Sequence, residues 1–251
     1  VFEGELRLDD DLRGRGGADR LNGGAGRNLL RGEAGADVIF LGAGSELDRA
    51  SGGPDDDLFS LEAPPLGEEP HEAFGGDGRD RLRAGNVWSE AEGFAMGPDV
   101  LSVAGRPTLR FSSVEEVFGS ALSDTLRAGS REPLALPPEL VHGGPGADRL
   151  LADGRRGEAP ILAGGADGDV LVGGRSDDRL FDGDAATEET VTAWRPNDAL
   201  PTLFADLDVL SGRGGDDLLV SFSGADRLSG GRGDDRLVSL GGQDDVTGGP
   251  G

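Results

Sequence analysis

The chain has 251 residues, of which 46 are glycine and none is cysteine, whereas glycine usually makes up about 7 % of a protein. Its 48 acidic and 24 basic residues give a net charge of -24, which argues against nucleic acid or an anionic membrane as a partner. The absence of cysteine excludes disulfides, thiolate metal sites and a cysteine nucleophile, and no apolar run of about 18 residues suggests a transmembrane segment. Since the apolar fraction is only 35 %, something besides hydrophobic burial must stabilise a folded state.

A nine-residue pattern begins near the start of the chain. Its first residues are rich in glycine, its sixth is a carboxylate or an amide, and its eighth is aliphatic. The first run fills residues 14–40, and Asp10 indicates one more copy upstream. The pattern decays at Glu46 and Asp48, where the eighth position is polar, and then returns. The sixth residues of this part are Asp10, Asp19, Asn28, Asp37 and, after the return, Asp57.

Copies in the middle of the chain stand apart from one another. Segments without the period separate them at roughly 61–74, 84–93, 103–118, 128–142 and 183–205, and their proline and acid clusters predict surface loops. We expect both histidines, His71 and His142, in such solvated loops, and added strands at 108–111 and 114–118. The sixth residues of the central copies are Asp80, Asp99, Asp124, Asp148, Asp169 and Asp178.

A tandem array closes the chain from about residue 206. Its sixth residues are Asp208, Asp217, Asp226, Asp235 and Asp244. The chain stops within a further repeat, so we expect it to be a segment of a longer protein. The predicted organisation is an N-terminal repeat block at 1–60, degenerate repeats with insertions at 61–142, a short repeat block at 143–182, an insertion at 183–205 and a C-terminal array at 206–251 that continues beyond the chain end.

The period itself predicts the fold. Glycine suits the tight turn in the first six residues of a unit, and the last three are extended, with the eighth side chain on the inner face. Two units make one coil of about 18 residues, and coils stack with strands about 4.8 Å apart. We therefore predict an all-β solenoid of parallel strands with inserted loops and extra strands, whose core is the column of eighth residues.

Stacking places the sixth residues in two columns, one along each edge of the solenoid. Neighbours in a column are two units apart, and the sequence predicts the pairs Asp19 with Asp37, Asp208 with Asp226, Asp217 with Asp235, and Asp226 with Asp244. Such carboxylates repel unless a cation lies between them, and Ca²⁺ takes about 6–8 oxygen ligands, whereas Mg²⁺ demands a smaller octahedron. We predict several Ca²⁺ ions, bound by the sixth residues together with backbone carbonyls of Gly14, Gly23, Gly32, Gly75, Gly143, Gly164, Gly173, Gly212 and Gly230.

The complete pattern Gly-Gly-x-Gly-x-Asp-x-aliphatic-x occurs at 75–83, 143–151 and 230–238. It resembles the RTX (repeats-in-toxin, hemolysin-type calcium-binding) nonapeptide, and matching units cover somewhat over half of the chain. The resemblance implies a right-handed parallel β-roll with Ca²⁺ between its turns, in a bacterial protein exported by type I secretion machinery. Asn28 at a carboxylate position, and Asp55 and Asp167 at glycine positions, depart from the pattern. We expect a continuous ion column only in the closing array, a shorter one near the start, and single, weak or empty central sites.

No enzyme motif accompanies the repeats. The sequence has no His-Glu-x-x-His, no Gly-x-Ser-x-Gly and no phosphate loop, so we predict no catalytic residue and no enzyme activity. The main prediction is a structural or adhesive segment of a large secreted or cell-surface protein, which folds on binding Ca²⁺ outside the cell and contacts other extracellular proteins. Two alternatives stay open: the calcium-dependent C-terminal region of a type I-secreted protease or lipase, and a structural subunit of an extracellular assembly.

Overall fold

The structure is a computed structural model that describes residues 2–3, 9–42, 45–63, 68–84, 94–96, 100–103, 106–128, 139–152, 160–183 and 207–251. All regular secondary structure in these ranges is β-strand, which confirms the predicted all-β class. The chain divides into two compact units, one running to Phe118 and the other beginning at Gly119. Within the described ranges, there is no helix long and apolar enough to cross a membrane.

The first unit is a solenoid in which each coil gives one strand to each of two parallel ladders. One ladder has the order β1-β3-β5-β7-β9-β13 and the other β2-β4-β6-β8-β12, followed by the antiparallel strands β11 and β10. The strands are β1 (Phe2–Glu3), β2 (Asp11–Gly16), β3 (Arg20–Asn22), β4 (Gly26–Ala34), β5 (Val38–Leu41), β6 (Ser45–Pro54), β7 (Leu58–Leu61), β8 (His71–Asp77), β9 (Arg81–Ala84), β10 (Phe94–Met96), β11 (Val100–Val103), β12 (Arg106–Ser112) and β13 (Glu116–Phe118).

The second unit repeats this construction. One parallel ladder has the order β15-β17-β19-β21-β23 and the other β14-β16-β18-β20-β22-β24. The strands are β14 (Thr125–Ala128), β15 (Leu140–Pro145), β16 (Arg149–Ala152), β17 (Ile161–Ala166), β18 (Val170–Val172), β19 (Arg179–Phe181), β20 (Val209–Gly214), β21 (Leu218–Ser221), β22 (Arg227–Arg232), β23 (Arg236–Ser239) and β24 (Asp245–Thr247). Within each unit, the stacked parallel strands confirm the predicted solenoid.

The eighth residues form the core of both units, as predicted. Their side chains lie between the two ladders, where alternation along each strand directs every second side chain inward. Exposure increases toward the ends of the column, where Leu12 is partly exposed and Val246 is 48 % exposed. Residues of this column with 0 % exposure include Leu21, Leu30, Ile39, Leu82, Leu126, Leu150, Leu171, Leu180, Leu210 and Leu219.

The interpretation that the pattern decays at Asp48 is wrong. In the ladder Asn28 pairs with Asp48 and Leu30 with Ala50, so Asp48 is a sixth residue and Ala50 an eighth. Asp37 and Asp48 are more than nine residues apart, so a strict nine-residue period does not identify Asp48 as a sixth residue. β6 still pairs in parallel with β4, so the ladder continues across the longer unit.

Three other expectations need correction. His71 is 0 % exposed and His142 is 9 % exposed, so neither is the solvated loop residue that its acidic or glycine-rich surroundings suggested. His71 opens β8, which pairs with β6 inside the ladder. The strands at 108–111 and 114–118 are present as β12 and β13, but they pair in parallel with β8 and β9. They therefore complete a coil instead of decorating one.

Candidate metal sites at the turn edges

Most sixth residues lie just before a ladder strand, on a turn at one edge of the unit, whereas Asn28 and Asp48 lie within β4 and β6. In the first unit, we call Asp19, Asp37, Asp57 and Asp80 the aspartate edge, and Asp10, Asn28, Asp48 and His71 the mixed edge. In the second unit, the short edge is Asp178, Asp217 and Asp235. The long edge of the second unit is Asp124, Asp148, Asp169, Asp208, Asp226 and Asp244.

In ten of the stacked pairs, one oxygen of the sixth-position carboxylate reaches back to the preceding coil. There it accepts a hydrogen bond from the backbone N–H of the sixth residue, and the first two aspartates show this at 2.8 Å, from Asp19 N–H to Asp37 Oδ1. The predicted stacking of Asp19 with Asp37, Asp208 with Asp226, Asp217 with Asp235 and Asp226 with Asp244 is confirmed by these bonds. The same bond joins Asp37 to Asp57, Asp57 to Asp80, Asp124 to Asp148, Asp148 to Asp169, Asp169 to Asp208 and Asp178 to Asp217.

Copies that are isolated in the sequence are therefore continuous in space. Asp169 and Asp208 are 39 residues apart, yet Asp169 N–H donates to Asp208 Oδ1 at 2.7 Å. Asp57 and Asp80, 23 residues apart, make the same contact at 2.9 Å. The coils on either side of these insertions stack directly on each other, so the central aspartates occupy the same kind of column as the tandem ones.

The other carboxylate oxygen has no hydrogen-bond partner in much of the stack. A buried acceptor left without a donor costs about 1–3 kcal/mol, and more when it is charged. A stack that repeats this cost in coil after coil favours either protonation of the carboxyl groups or a compensating positive charge. The buried, unpartnered atoms are Oδ2 of Asp37, Asp57, Asp80, Asp148, Asp217 and Asp235, and Oδ1 of Asp178.

The first glycine of the turn makes room for this oxygen. A Cβ added to Gly212 would lie 2.2 Å from Asp217 Oδ2 and 2.5 Å from the carbonyl oxygen of Gly230, one coil further on. A carboxylate oxygen and a backbone carbonyl oxygen thus converge on the bare face of one glycine. The same arrangement recurs at Gly32, Gly52, Gly143 and Gly164.

The fourth residue of the turn has a left-handed backbone, which explains two departures from the glycine pattern. Asp55 has φ 83° and Asp167 has φ 74° at that position. Aspartate enters this region more readily than most residues because its short side chain can bond locally. The two substitutions therefore keep the shape of the turn.

Burial sets the acidity of these carboxyl groups. It raises the pKa of Asp148 to about 8, and the charges of Asp124 and Asp167 add to the rise. Burial likewise raises the pKa of Asp80 to about 7 and of Asp178 to about 7. Asp57 follows at about 6, again chiefly through burial. A cation would reverse this penalty, because it favours the charged form.

The donor set fits a hard cation. It consists of carboxylate and backbone carbonyl oxygens at a flexible glycine turn, which is the ligand type that Ca²⁺ takes. Thiolates are absent from the sequence, so a soft-metal site of that kind is excluded. The aspartate edge, the short edge and Asp148 of the long edge meet this description. The predicted carbonyl ligands, Gly23 and Gly173 among them, stay predictions.

The long edge changes character in its last coils. Carboxylate oxygens of Asp182, Asp208 and Asp226 lie within 4.8 Å of one another, and all three residues are buried. Asp182 takes the first position of its unit, where glycine usually stands. In the next coil that position is Ser221, whose hydroxyl donates to Asp226 Oδ2 at 2.6 Å. Ser239 makes the equivalent bond to Asp244 Oδ2.

Sequence reasoning placed most sixth residues correctly but missed others. Asp99 lies outside the described residues. Asp48 was lost to the longer unit before it, although it precedes Asp57 by one regular period. Glu115 replaces an aspartate, and its Oε2 accepts from Asp80 N–H at 2.8 Å across 35 residues. His71 and Asp182 carry no signal in the nine-residue pattern, except that Gly75 follows His71 at the regular distance.

The comparisons with known proteins agree with this geometry. No curated protein matches the chain. The family model for the RTX calcium-binding nonapeptide repeat (4 copies) matches residues 13–45, 161–186 and 220–251. These segments include the start of the aspartate edge and the last coils of both edges of the second unit. Repeats of this type bind calcium, and these three segments of the chain are RTX calcium-binding nonapeptide repeats.

Proposed function

We propose that this chain is a calcium-dependent structural or adhesive segment of a large secreted or cell-surface bacterial protein, which folds when it meets Ca²⁺ outside the cell. The observation that carries the proposal is the series of buried carboxylate oxygens without a hydrogen-bond partner, such as those of Asp57, Asp80 and Asp217. Each stands in a column whose neighbours are also carboxylates. Ca²⁺ supplies the missing positive charge.

The sites belong to the sixth residues of the aspartate edge and the short edge, and to Asp148. There the second oxygen faces a glycine and a backbone carbonyl of the next coil. Asp124, Asp169 and Asp208 extend the same function along the long edge, whereas a serine hydroxyl already bonds Oδ2 of Asp226 and of Asp244. The number of ions follows from how many of these turns load, which a binding measurement counts directly.

Charge repulsion opposes the folded state, and calcium binding stabilises it. A net charge of -24 opposes compaction, and the core between the two ladders is narrow and built mainly from the eighth residues. A ligand that binds only the folded state at a hundredfold excess over its Kd adds about 2.7 kcal/mol per site. Several sites with the affinity of extracellular calcium modules, about 10⁻⁴–10⁻³ M, stabilise the fold outside the cell and leave it unstable at cytosolic calcium.

Export by type I secretion machinery and contacts with other extracellular proteins are part of this proposal. They are supported by the repeat type, since RTX repeats typify secreted bacterial proteins. Folding that depends on Ca²⁺ would also keep the chain unfolded until export. The repeat region has no catalytic role of its own. That the chain is not an enzyme stays a prediction.

Circular dichroism during a calcium titration tests the proposal. The β-sheet signal is expected to be weak in excess chelator and to rise cooperatively as Ca²⁺ approaches millimolar concentration. Mg²⁺ at the same concentration serves as the control and is expected to produce little folding, because it gives up water reluctantly and demands a stricter octahedron. A full β-sheet signal in excess chelator would refute calcium-dependent folding.

A further inference from the structure

On the mixed edge of the first unit, Asn28 and Asp48 satisfy their polar side-chain atoms without a cation. Asn28 is 3 % exposed, and its Oδ1 accepts from Asp10 N–H at 3.1 Å. Its Nδ2 donates to Asp48 Oδ1 at 2.8 Å and to the carbonyl of Gly24 at 3.4 Å. One amide thus acts as acceptor toward the preceding coil and as donor toward the next, which a carboxylate cannot do.

Both oxygens of the Asp48 carboxylate are occupied. Oδ1 accepts from Asn28, and Oδ2 accepts from Gly42 N–H at 2.8 Å. Asp48 is 2 % exposed, so these two donors replace water. On the aspartate edge of the same unit, Oδ2 of Asp37 and of Asp57 has no such donor.

His71 continues this edge where an aspartate would continue the other. The ring is 0 % exposed, and its Nδ1 accepts from Asp48 N–H at 2.9 Å. Burial lowers the pKa of His71 against the opposing charge of Asp48, which favours the neutral ring that can accept. A neutral imidazole thus provides the same backbone bond that a carboxylate oxygen provides elsewhere in the stack, without adding negative charge.

We propose that the mixed edge is a cation-free hydrogen-bonded ladder, in which Asn28 and His71 replace carboxylates and confine Ca²⁺ in the first unit to the aspartate edge. A cation here would have to displace the donors that already occupy Asp48. The inference deepens the proposed function and rests on it. Asp10 and Asn28, predicted from the sequence as calcium ligands, are assigned to the ladder instead.

Two isosteric substitutions in the full chain test the division of the edges. Asp37→Asn on the aspartate edge keeps an oxygen for Asp19 N–H and is expected to lower the number of bound Ca²⁺ ions. Asp48→Asn on the mixed edge is expected to leave that number unchanged. Bound calcium is counted by equilibrium dialysis with radioactive Ca²⁺ at saturation, on folded protein in each case. Loss of an ion in Asp48→Asn, to the same extent as in Asp37→Asn, would overturn the proposal.

A charge swap tests the ladder itself. Asn28→Asp removes the donor and sets two carboxylates against each other, so its Tm at low calcium is expected to fall by about 5 °C or more. The double variant Asn28→Asp/Asp48→Asn restores one donor and one acceptor with the net charge of the natural chain. Its Tm is expected to return to within about 2 °C of the unchanged protein. The comparison uses the lowest calcium concentration at which the unchanged chain is folded.

The outcomes distinguish a failure of the ladder from a failure of the proposed function. An unchanged Tm in Asn28→Asp, or no recovery in the double variant, contradicts the ladder. A natural chain that binds no Ca²⁺, or an Asp37→Asn variant that loses none, contradicts the proposed function instead. In that case the Tm series still decides whether Asn28 and Asp48 form the ladder.

Discussion

The short edge and the last coils of the long edge, both in the second unit, have nearly the same repeat but different chemistry at the carboxylate. On the short edge the turns of Asp217 and Asp235 begin with glycine, and the second carboxylate oxygen is buried without a donor. On the long edge the turn of Asp226 begins with Ser221, whose hydroxyl donates to that same oxygen at 2.6 Å. The first residue of the repeat therefore decides whether the carboxylate is open to a cation or already bonded.

The largest effect is expected from filling the space beside a short-edge glycine. In Gly212→Ala the new Cβ would meet Asp217 Oδ2 at 2.2 Å and the backbone oxygen of Gly230 at 2.5 Å. Overpacking of this kind costs about 1–3 kcal/mol, and displacement of the oxygens also removes a calcium site. Thermal unfolding at low and at saturating Ca²⁺ measures the loss of stability and the loss of calcium-dependent stabilisation.

Gly248→Ala is the matched control. Gly248 also holds a first position, but a Cβ there would have nothing within 4 Å. A Tm change of less than about 2 °C is expected. Equal losses in the two variants would show that the glycine contributes only backbone freedom, and the difference between the edges would lose its steric basis.

A smaller effect is expected from removing one short-edge charge. In the unchanged chain, Asp178 N–H donates to Asp217 Oδ1 at 2.7 Å. Asp217→Asn keeps an oxygen that can accept this bond. The variant should lose about 2.7 kcal/mol of calcium-dependent stabilisation at a hundredfold excess over Kd. Asp244→Asn, whose Oδ2 is bonded by Ser239, should lose less. Calorimetric calcium titrations compare them, and a greater loss in Asp244→Asn would reverse the assignment.

The pH dependence of the calcium-free chain should reveal the buried carboxyl groups of both edges. Burial raises the folded-state pKa of Asp178 and of Asp148 from 3.8 to about 7 and about 8 respectively. A raised carboxyl pKa means that the folded state holds protons which the unfolded state has already lost. Stability therefore falls as pH rises from about 4 to about 8.

In chelator, the β-sheet signal in circular dichroism is thus expected to rise when pH is lowered from about 8 to about 5. Saturating Ca²⁺ should weaken or reverse this trend, because the cation requires the deprotonated groups. Asp148→Asn removes one of the groups and should reduce the slope. A β-sheet signal in chelator that increases with pH over this range would contradict the burial of charge at these turns.

The smallest effect is expected from opening a long-edge turn. Ser221→Gly removes the hydroxyl bond and adds backbone entropy to the unfolded chain, each worth about 1 kcal/mol, so Tm at the lowest calcium concentration at which the chain is folded should fall. The freed oxygen of Asp226 should then increase the rise in Tm that Ca²⁺ produces. Ser229→Gly, at an exposed position on β22, controls for the backbone change. A smaller calcium response in Ser221→Gly would identify the hydroxyl as a calcium ligand instead.

The sequence by itself determined the repeating features of this protein. A period of nine residues is enough to predict the all-β solenoid, the buried column from Leu21 to Leu228 and the stacking of Asp19 on Asp37. Each unit consists of a turn followed by an extended segment, so equal spacing gives equal positions in every coil. Local composition also indicated oxygen ligands and calcium. These properties depend on residues that are near one another in the chain, so their spacing records them.

Only the tertiary structure decided what happens where the spacing fails. Asp48, His71, Glu115 and Asp182 join the edges across units of irregular length, and His71 is buried although its neighbours in sequence are acidic and exposed. Stacking selects these contacts, because each coil must satisfy the backbone N–H groups of the coil before it with whatever side chain stands there. Which carboxylate oxygen stays open for a cation is decided in the same way, by atoms one coil away.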